Sequence, residues 1–309
     1  MPIYMQGGNV CSPGVDPNML MLVGAAIVLG SVLGGYLMHG GEVLVLNQPS
    51  EFIIIGGASI GALITGTPGK VLKGLLGQMK GVFSKGLTKA DYVELLAMQY
   101  QLFRLIQQSG IMALESHVEK PHESAVLSKY PKFLARHEAS CFLTDSVKVM
   151  IMGGISVHDL EALMDEDQHV HHEEESKPAS TLTKLGDALP GLGIVAAVLG
   201  VVITMGAIDG PPSEIGHKVA AALVGTFLGI FLAYGFVQPI ATNLEHRVAD
   251  EGRYTQCIKS GLLAAYKGMP PAIAVEFARR VLPADVRPSF EETEAACKGQ
   301  KADASAQAA

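Results

Sequence analysis

Charge is scarce in this chain, and it is withheld in blocks. Charged residues make up 17% of the 309 and hydrophobic residues 49%, which excludes the pair of ordinary soluble domains that this length would otherwise accommodate. Four windows, 20–38, 52–67, 188–208 and 219–242, contain no Asp, Glu, Lys or Arg. Three of them are long enough for a helix to cross about 30 Å of hydrocarbon, and the second lies at the short limit. No Lys or Arg precedes the first window, which excludes a secretory signal with its basic leader. Cysteine is sparse as well. Cys11, Cys141, Cys257 and Cys297 stand far apart, with no CxxC pair and no metal-ligand spacing, so they read as free thiols of a reducing compartment. A phosphate-binding loop is missing, so ATP is not the energy source. Thr204, Ser213 and His217 form no nucleophile–base pattern, and the chain is not expected to be an enzyme. A formal charge of −7 offers no basic field, which leaves nucleic acid out as a partner.

The basic residues that are present set the topology. None lies before the first window or in 39–51, one (Lys218) lies between the third and fourth windows, thirteen fall in 69–187 and nine follow 241. By the positive-inside rule the long middle segment and the C-terminal segment are cytoplasmic, and with four spans the N-terminus is cytoplasmic too. The expected fold is therefore an all-α integral membrane protein of four transmembrane helices, with a large cytoplasmic helical domain between spans 2 and 3. Its divisions are an N-terminal extension (1–19), spans 1 and 2 (20–68), a cytoplasmic domain (69–187), spans 3 and 4 (188–242), and cytoplasmic C-terminal helices with a disordered tail (243–309). The extension is expected to be dispensable, because Met19 stands directly before the first span.

Within the middle segment, Thr88-Lys89-Ala90-Asp91 opens a helical run. Tyr92, Leu95, Leu96, Met98, Tyr100, Leu102, Phe103, Leu105 and Ile106 supply its apolar face. Ser156 reads as the N-cap of a short helix, DLEALMDED. The PPAIAVEFARRVL stretch starts on prolines and ends on Arg279 and Arg280, matching the helix dipole at both ends. The tail from Lys298 is low in complexity and expected to be disordered.

The spans lack any acidic or basic side chain, so the chain is not expected to relay ions through a carboxylate of its own. Either it does not transport, or a partner supplies the acid. What the spans contain is small residues at helical spacing: Gly30–Gly34, Gly57–Gly61 and Gly225–Gly229 are small-xxx-small pairs that permit close helix approach. In the third span Pro190, Ala197 and Thr204 fall seven apart, with Gly193 and Gly200 beside them. The fourth carries Thr226, Ala233 and Tyr234, then Pro239. Pro190 and Pro239 mark one membrane level, where each frees a carbonyl and bends its helix.

These features together resemble the MotA/PomA family of flagellar stator subunits, over about Met19 to Phe290. The segments that carry the resemblance are LGDALPGLGIVAAVLGVV, VGTFLGIFLAYGFVQP, GGYLM…QPSEFIIIGGASIG, EALMDED and PPAIAVEFARR, in an order of two spans, a long cytoplasmic segment, two spans and a tail. The resemblance implies a homo-pentamer in the bacterial inner membrane around a dimer of a MotB-like single-span subunit. That partner's membrane aspartate carries the ion, and ion flow turns the ring against the rotor protein FliG. Pro190 and Pro239 match the family's two functional prolines; Thr226 and Tyr234 match positions that line or support the path.

The resemblance also bears on ion choice and torque. Sodium-driven members tend to carry threonine where this chain has Ala197, and a methyl group offers no oxygen to a dehydrated Na⁺; the transported ion is expected to be H⁺, with Na⁺ as the alternative. No cofactor is implied. Glu115 matches an acidic rotor-contact residue, Asp167 matches a further acidic position, and Gln107 stands where many members have arginine. Arg104, one turn earlier on the same helix face, is the candidate to substitute for that charge. Two other functions compete: an ExbB/TolQ-type energiser of an envelope process, disfavoured by the two-plus-two arrangement of spans, and a structural membrane scaffold, which has no use for two prolines at one depth. The histidines of Asp167–Glu175 read as part of a solvated acidic linker and not as a metal site.

Overall fold

A computed structural model describes residues 17–82 and 86–306. Helices account for all regular structure among them. In chain order they are α1 (Pro17–Met38), α2 (Val43–Leu46), α3 (Pro49–Gly66), α4 (Gly69–Gly81), α5 (Lys89–Ser109), α6 (Glu115–Glu119) and α7 (Pro131–Leu134). There follow α8 (His137–Met152), α9 (Val157–Met205), α10 (Pro212–Leu232), α11 (Gln238–Tyr266), α12 (Pro271–Arg280) and α13 (Phe290–Ala306). Four helical stretches are long and apolar enough to cross a membrane: Met19–Met38, Val43–Gly66, Val157–Met205 and Pro212–Tyr266. The fold is the all-α, four-span arrangement with a large helical region between the second and third spans.

The chain divides into two compact units, one formed by Met1–Gly86 with Pro178–Leu244, the other by Leu87–Lys177 with Glu245–Ala309. The first unit holds the apolar helices. Large aliphatic side chains stand exposed along them, among them Leu20, Ile27, Ile53, Ile60, Val198, Val202, Ile203 and Leu223. Aliphatic surface on that scale suits lipid or a neighbouring protein, not water. Inside the unit, Ile55, Leu189, Ala196, Leu228 and Ala233 form one small core, and Leu75, Val82, Ala179, Leu182, Ala241 and Leu244 form another.

The second unit is built like a water-soluble domain. Thr88 and Asp91 close a capping box on α5, with the Thr88 amide donating to Asp91 Oδ2 at 2.9 Å, and Gly110 ends the helix in the left-handed region at φ 78°. Tyr92, Leu95, Leu96, Met98, Leu102 and Phe103 are buried in one core with residues of α8, α11 and α12, and Tyr100, Leu105 and Ile106 pack at its edge. The predicted apolar face of α5 is the face that packs.

Three local expectations change. Ser156 does cap a helix, its Oγ accepting from the Asp159 amide at 3.1 Å, but the helix is not short: α9 runs 49 residues. The acidic segment 167–175 is therefore helical, not a linker. Most of its charges are exposed, with Asp167 and Glu175 half-buried, and His171–Asp167 (3.7 Å) and His169–Glu173 (3.8 Å) sit one turn apart. The low-complexity tail from Lys298 belongs to α13 as far as Ala306, where alanines favour helix and Lys298 pairs with Glu294 at 2.6 Å. Most of the expected N-terminal extension lies outside the described residues, as does Cys11; Cys141, Cys257 and Cys297 are free thiols.

Candidate functional site

Glycines decide how the third and fourth spans meet. A Cβ added to Gly193 would stand 2.8 Å from the Gly225 carbonyl oxygen and 3.1 Å from Gly229 Cα. One added to Gly229 would lie 2.7 Å from the Leu189 oxygen, and one added to Gly200 would lie 2.6 Å from Ala222 Cβ. At Gly193 and Gly229 the neighbour is backbone, so only a residue without a side chain permits the contact, while Gly200 faces the Ala222 methyl group. The glycines beside the Pro190–Ala197–Thr204 row thus pack α9 against α10 of the same chain. Gly30, Gly34, Gly57 and Gly61 meet nothing within 4 Å.

At one end of this pair the two prolines come together with a polar link. Pro190 lies inside α9 and has no amide to offer the Gly186 carbonyl. A Cβ on Gly186 would meet Gln238 Cγ at 2.8 Å, and Gln238 donates from Nε2 to Asp187 Oδ1 at 2.7 Å. Pro239 follows directly. Ahead of it, Ala233–Val237 winds as a π turn between α10 and α11. A proline at 239 cannot donate to the carbonyl four residues back, and an i→i+5 register bypasses that missing donor. Both prolines therefore lie within a turn of the Asp187–Gln238 bond.

The remaining predicted path residues are spread along the same helices. Tyr234, in the π turn, is 60% exposed, while Ala197 and Thr226 are half-buried. Thr204 is buried, and its Oγ1 donates to the Gly200 carbonyl at 2.8 Å, so its hydroxyl is occupied within its own helix.

The expectation that no span carries an acidic side chain is overturned by Glu51. The charge-free window begins at Phe52, but the helix begins at Pro49, which draws Glu51 into its first turn. Glu51 is 5% exposed, and its Oε2 is buried without a hydrogen-bond partner. A Cβ added to Gly225 would stand 2.5 Å from that oxygen, 3.1 Å from Ala196 Cβ and 3.2 Å from the Ala197 amide. The sequence did contain a signal: an acid immediately after Pro-Ser marks a helix N-terminus.

The predicted rotor-facing residues fall on three helices of the second unit. Arg104 (half-buried) and Gln107 (exposed) are on α5, Glu115 (exposed) opens α6, and Asp167 (half-buried) is on α9. The same unit contains a cavity of about 660 Å³, whose wall includes Arg136, His137, Glu138, His172, Glu175 and Glu251. Arg136 pairs with Glu251 and lies 5.2 Å from the centre of the Tyr254 ring. Among the described residues, no group of three or more His, Cys, Asp or Glu is placed to hold a metal ion. On α12, Glu276 is gripped by Arg279 (2.7 and 2.8 Å) and Arg280 (2.7 Å); hydrogen bonds from these arginines hold its carboxyl down at about 2.

Two family models match the chain: a motility protein A N-terminal model over residues 22–110 and a MotA/TolQ/ExbB proton channel family model over residues 135–256. Motility protein A of Escherichia coli K12 is 46% identical over 277 residues, covering 89% of this chain and 94% of its own. The flagellar MotAB stator complex from Bacillus subtilis contains a chain that superposes with a TM-score of 0.68 at 25% identity, covering 87% of this chain and 98% of that one. A chain of the C. jejuni MotAB structure gives a TM-score of 0.72 at 20% identity, over 88% and 98% of the respective chains, and shows the fold. With four apolar helices paired two and two and 46% identity along 89% of its length to a motility protein A, the chain belongs to the motility protein A family.

Proposed function

We propose that this chain is the ring subunit of a flagellar motor stator, conducting ions across the bacterial inner membrane and coupling their flow to rotation of the rotor. The observation that carries this is the 46% identity to motility protein A along 89% of the chain. The work comes from ion movement and not from covalent catalysis, each proton contributing about 2.3 kcal/mol per 100 mV of membrane potential.

The partner is a MotB-like single-span subunit, as the MotAB complexes of the solved relatives suggest. Copies of this chain form a ring, a pentamer, around it. Both termini and the segment 69–187 lie in the cytoplasm, where the basic residues concentrate. The ion-bearing acid belongs to the partner and works against the α9–α10 pair, where Ala197, Thr226 and Tyr234 line the way. Pro190 and Pro239, joined through Asp187 and Gln238, transmit the change in the partner's charge to α9 and α11. Arg104, Gln107, Glu115 and Asp167 carry the contact with FliG. The ion is H⁺, because the Ala197 methyl group supplies no ligand for Na⁺. An ExbB/TolQ-type role is less well supported, since the N-terminal model over 22–110 is one of motility proteins.

Expression together with the MotB-like partner in a non-motile stator-null strain tests the function. Restored swimming that a proton uncoupler abolishes is expected. Failure to restore rotation overturns the stator function, and swimming that follows external Na⁺ and survives the uncoupler overturns the ion.

A further inference from the structure

Among the described residues, Glu51 is the one carboxyl group buried within an apolar, small-residue helix contact. It lies at the meeting of α3, α9 and α10, where Gly225 has no side chain and the carboxyl oxygen fills the space. Gly225 is six residues into the charge-free run that starts at Val219, about 9 Å along the helix from its start at 1.5 Å per residue. An acid left unpartnered so far into an apolar run is costly unless it has a use.

One helical turn above lies an open polar cavity of about 570 Å³. Its wall includes Gln48, Pro211, Glu214, His217, Lys218 and Ala221. Gln48 precedes Glu51 by three residues, and Ala221 precedes Gly225 by four, so the cavity floor and the buried carboxyl are adjacent levels of the same helices. With the topology above, this cavity opens to the outside. Below it, Glu51 Oε2 (2.5 Å) and the Ala197 amide (3.2 Å) both lie close to the Cβ position of Gly225, which places the carboxyl at the level of Ala197.

We propose, resting on the stator function above, that Glu51 is a proton-exchanging station on the ion path, supplied by this chain between the outer cavity and the partner's acid. In the first step a water-borne proton from the cavity bonds to the Glu51 carboxylate, restoring the water. In the second step the carboxyl O–H breaks and the proton passes, through water, to a carboxylate on the partner's membrane span. One O–H bond forms for each that breaks, and no oxidant or reductant enters. The other titratable groups of α3 and α10 are Glu214, His217 and Lys218 of α10, which line the cavity, with Lys218 paired to Glu214 at 3.0 Å; α9 carries none after Asp187. Lys184 and Asp187 of α9 lie toward the opposite end of the unit. None of them pairs with the Glu51 carboxyl.

The test uses the full chain with its MotB-like partner in a stator-null strain, with a fluorescent tag on the partner to count assembled stators at each motor. Glu51→Gln keeps the shape of the side chain but cannot exchange a proton. It is expected to assemble, to lower rotation speed per stator several-fold, and to flatten the dependence of speed on external pH. Glu51→Asp, which retains the exchangeable proton, is expected to restore part of both. A Glu51→Gln stator with wild-type speed and wild-type pH profile overturns the proposal. Should Glu51→Gln not assemble, Glu51→Asp decides: a displaced pH profile supports the station, and an unchanged one overturns it. A wild-type chain that restores no rotation refutes the stator function itself, an outcome distinct from any result on the variants.

Discussion

Gln238 reaches Asp187 with a 2.7 Å hydrogen bond, fastening α9, just before its apolar stretch, to the start of α11 within a turn of both prolines. The bond joins a neutral donor to a carboxylate, so the two substitutions at Gln238 should differ. Gln238→Leu removes the donor and is expected to slow rotation several-fold while assembly continues. Gln238→Glu sets two carboxylates together and should abolish rotation. Motor speed and stator number in tethered cells measure both. Equal, wild-type speeds would show that the link has no part in coupling.

The α9–α10 contact has no room for a methyl group. At Gly229 a Cβ would lie 2.7 Å from one backbone oxygen and 2.9 Å from Gly193 Cα, and backbone cannot swing aside as a side chain does. Gly229→Ala should therefore separate the helices at an overpacking cost of about 1–3 kcal/mol, whereas Gly57→Ala, which meets nothing, should leave stability unchanged. Thermal unfolding of the detergent-solubilised complex, followed by circular dichroism, compares the two. A Gly229→Ala melt that matches wild type would mean that the helices part without penalty.

How far the sequence revealed this arrangement depended on what each feature needs in order to be seen. The α5 face was legible because burial follows helical spacing within one segment. Four spans were legible because lipid demands long uncharged stretches. The partner of the third-span glycines was not, since spacing shows that a surface is smooth without naming what lies on it. Continuous α9 was hidden by its charges: a run such as Asp167–Glu175 looks the same as a linker or as the exposed side of a helix. Glu51 was missed because counting charge-free residues ends a span at the first acid, while the helix begins at Pro49 and carries that acid inward.

Glu115 stands exposed at the first turn of α6, accessible to a basic partner. Exposed ion pairs contribute about 0–1 kcal/mol each, so one reversal should weaken torque without ending it. Glu115→Lys is expected to reduce swimming speed partially, and a lysine-to-glutamate reversal on the FliG surface proposed to meet it should recover part of the loss. Gln107→Arg, which adds a second positive charge one turn from Arg104, should strengthen contact with acidic rotor residues. Speeds of the single and double variants form the cycle that measures this coupling, and an unchanged Glu115→Lys speed removes the residue from the rotor contact.

On α12, Glu276 gives the cytoplasmic unit a pH dependence whose sign follows from its partners. Hydrogen bonds from Arg279 and Arg280 favour the charged form and hold the carboxyl at about 2, below the ordinary 4.5. A carboxyl depressed on folding stabilises the folded state fully above its unfolded value, and that contribution disappears as pH falls through the folded one. Glu276→Gln should therefore lower the melting temperature at neutral pH by a few degrees, and the gap to wild type should narrow as pH falls from about 4.5 toward 2. Arg279 also donates to the Pro288 carbonyl at 2.9 Å, so freeing it should loosen the turn before α13. Circular dichroism melts of the two proteins across that acid range check the sign, and a gap that widens on acidification would show that Glu276 is not held in its charged form by these arginines.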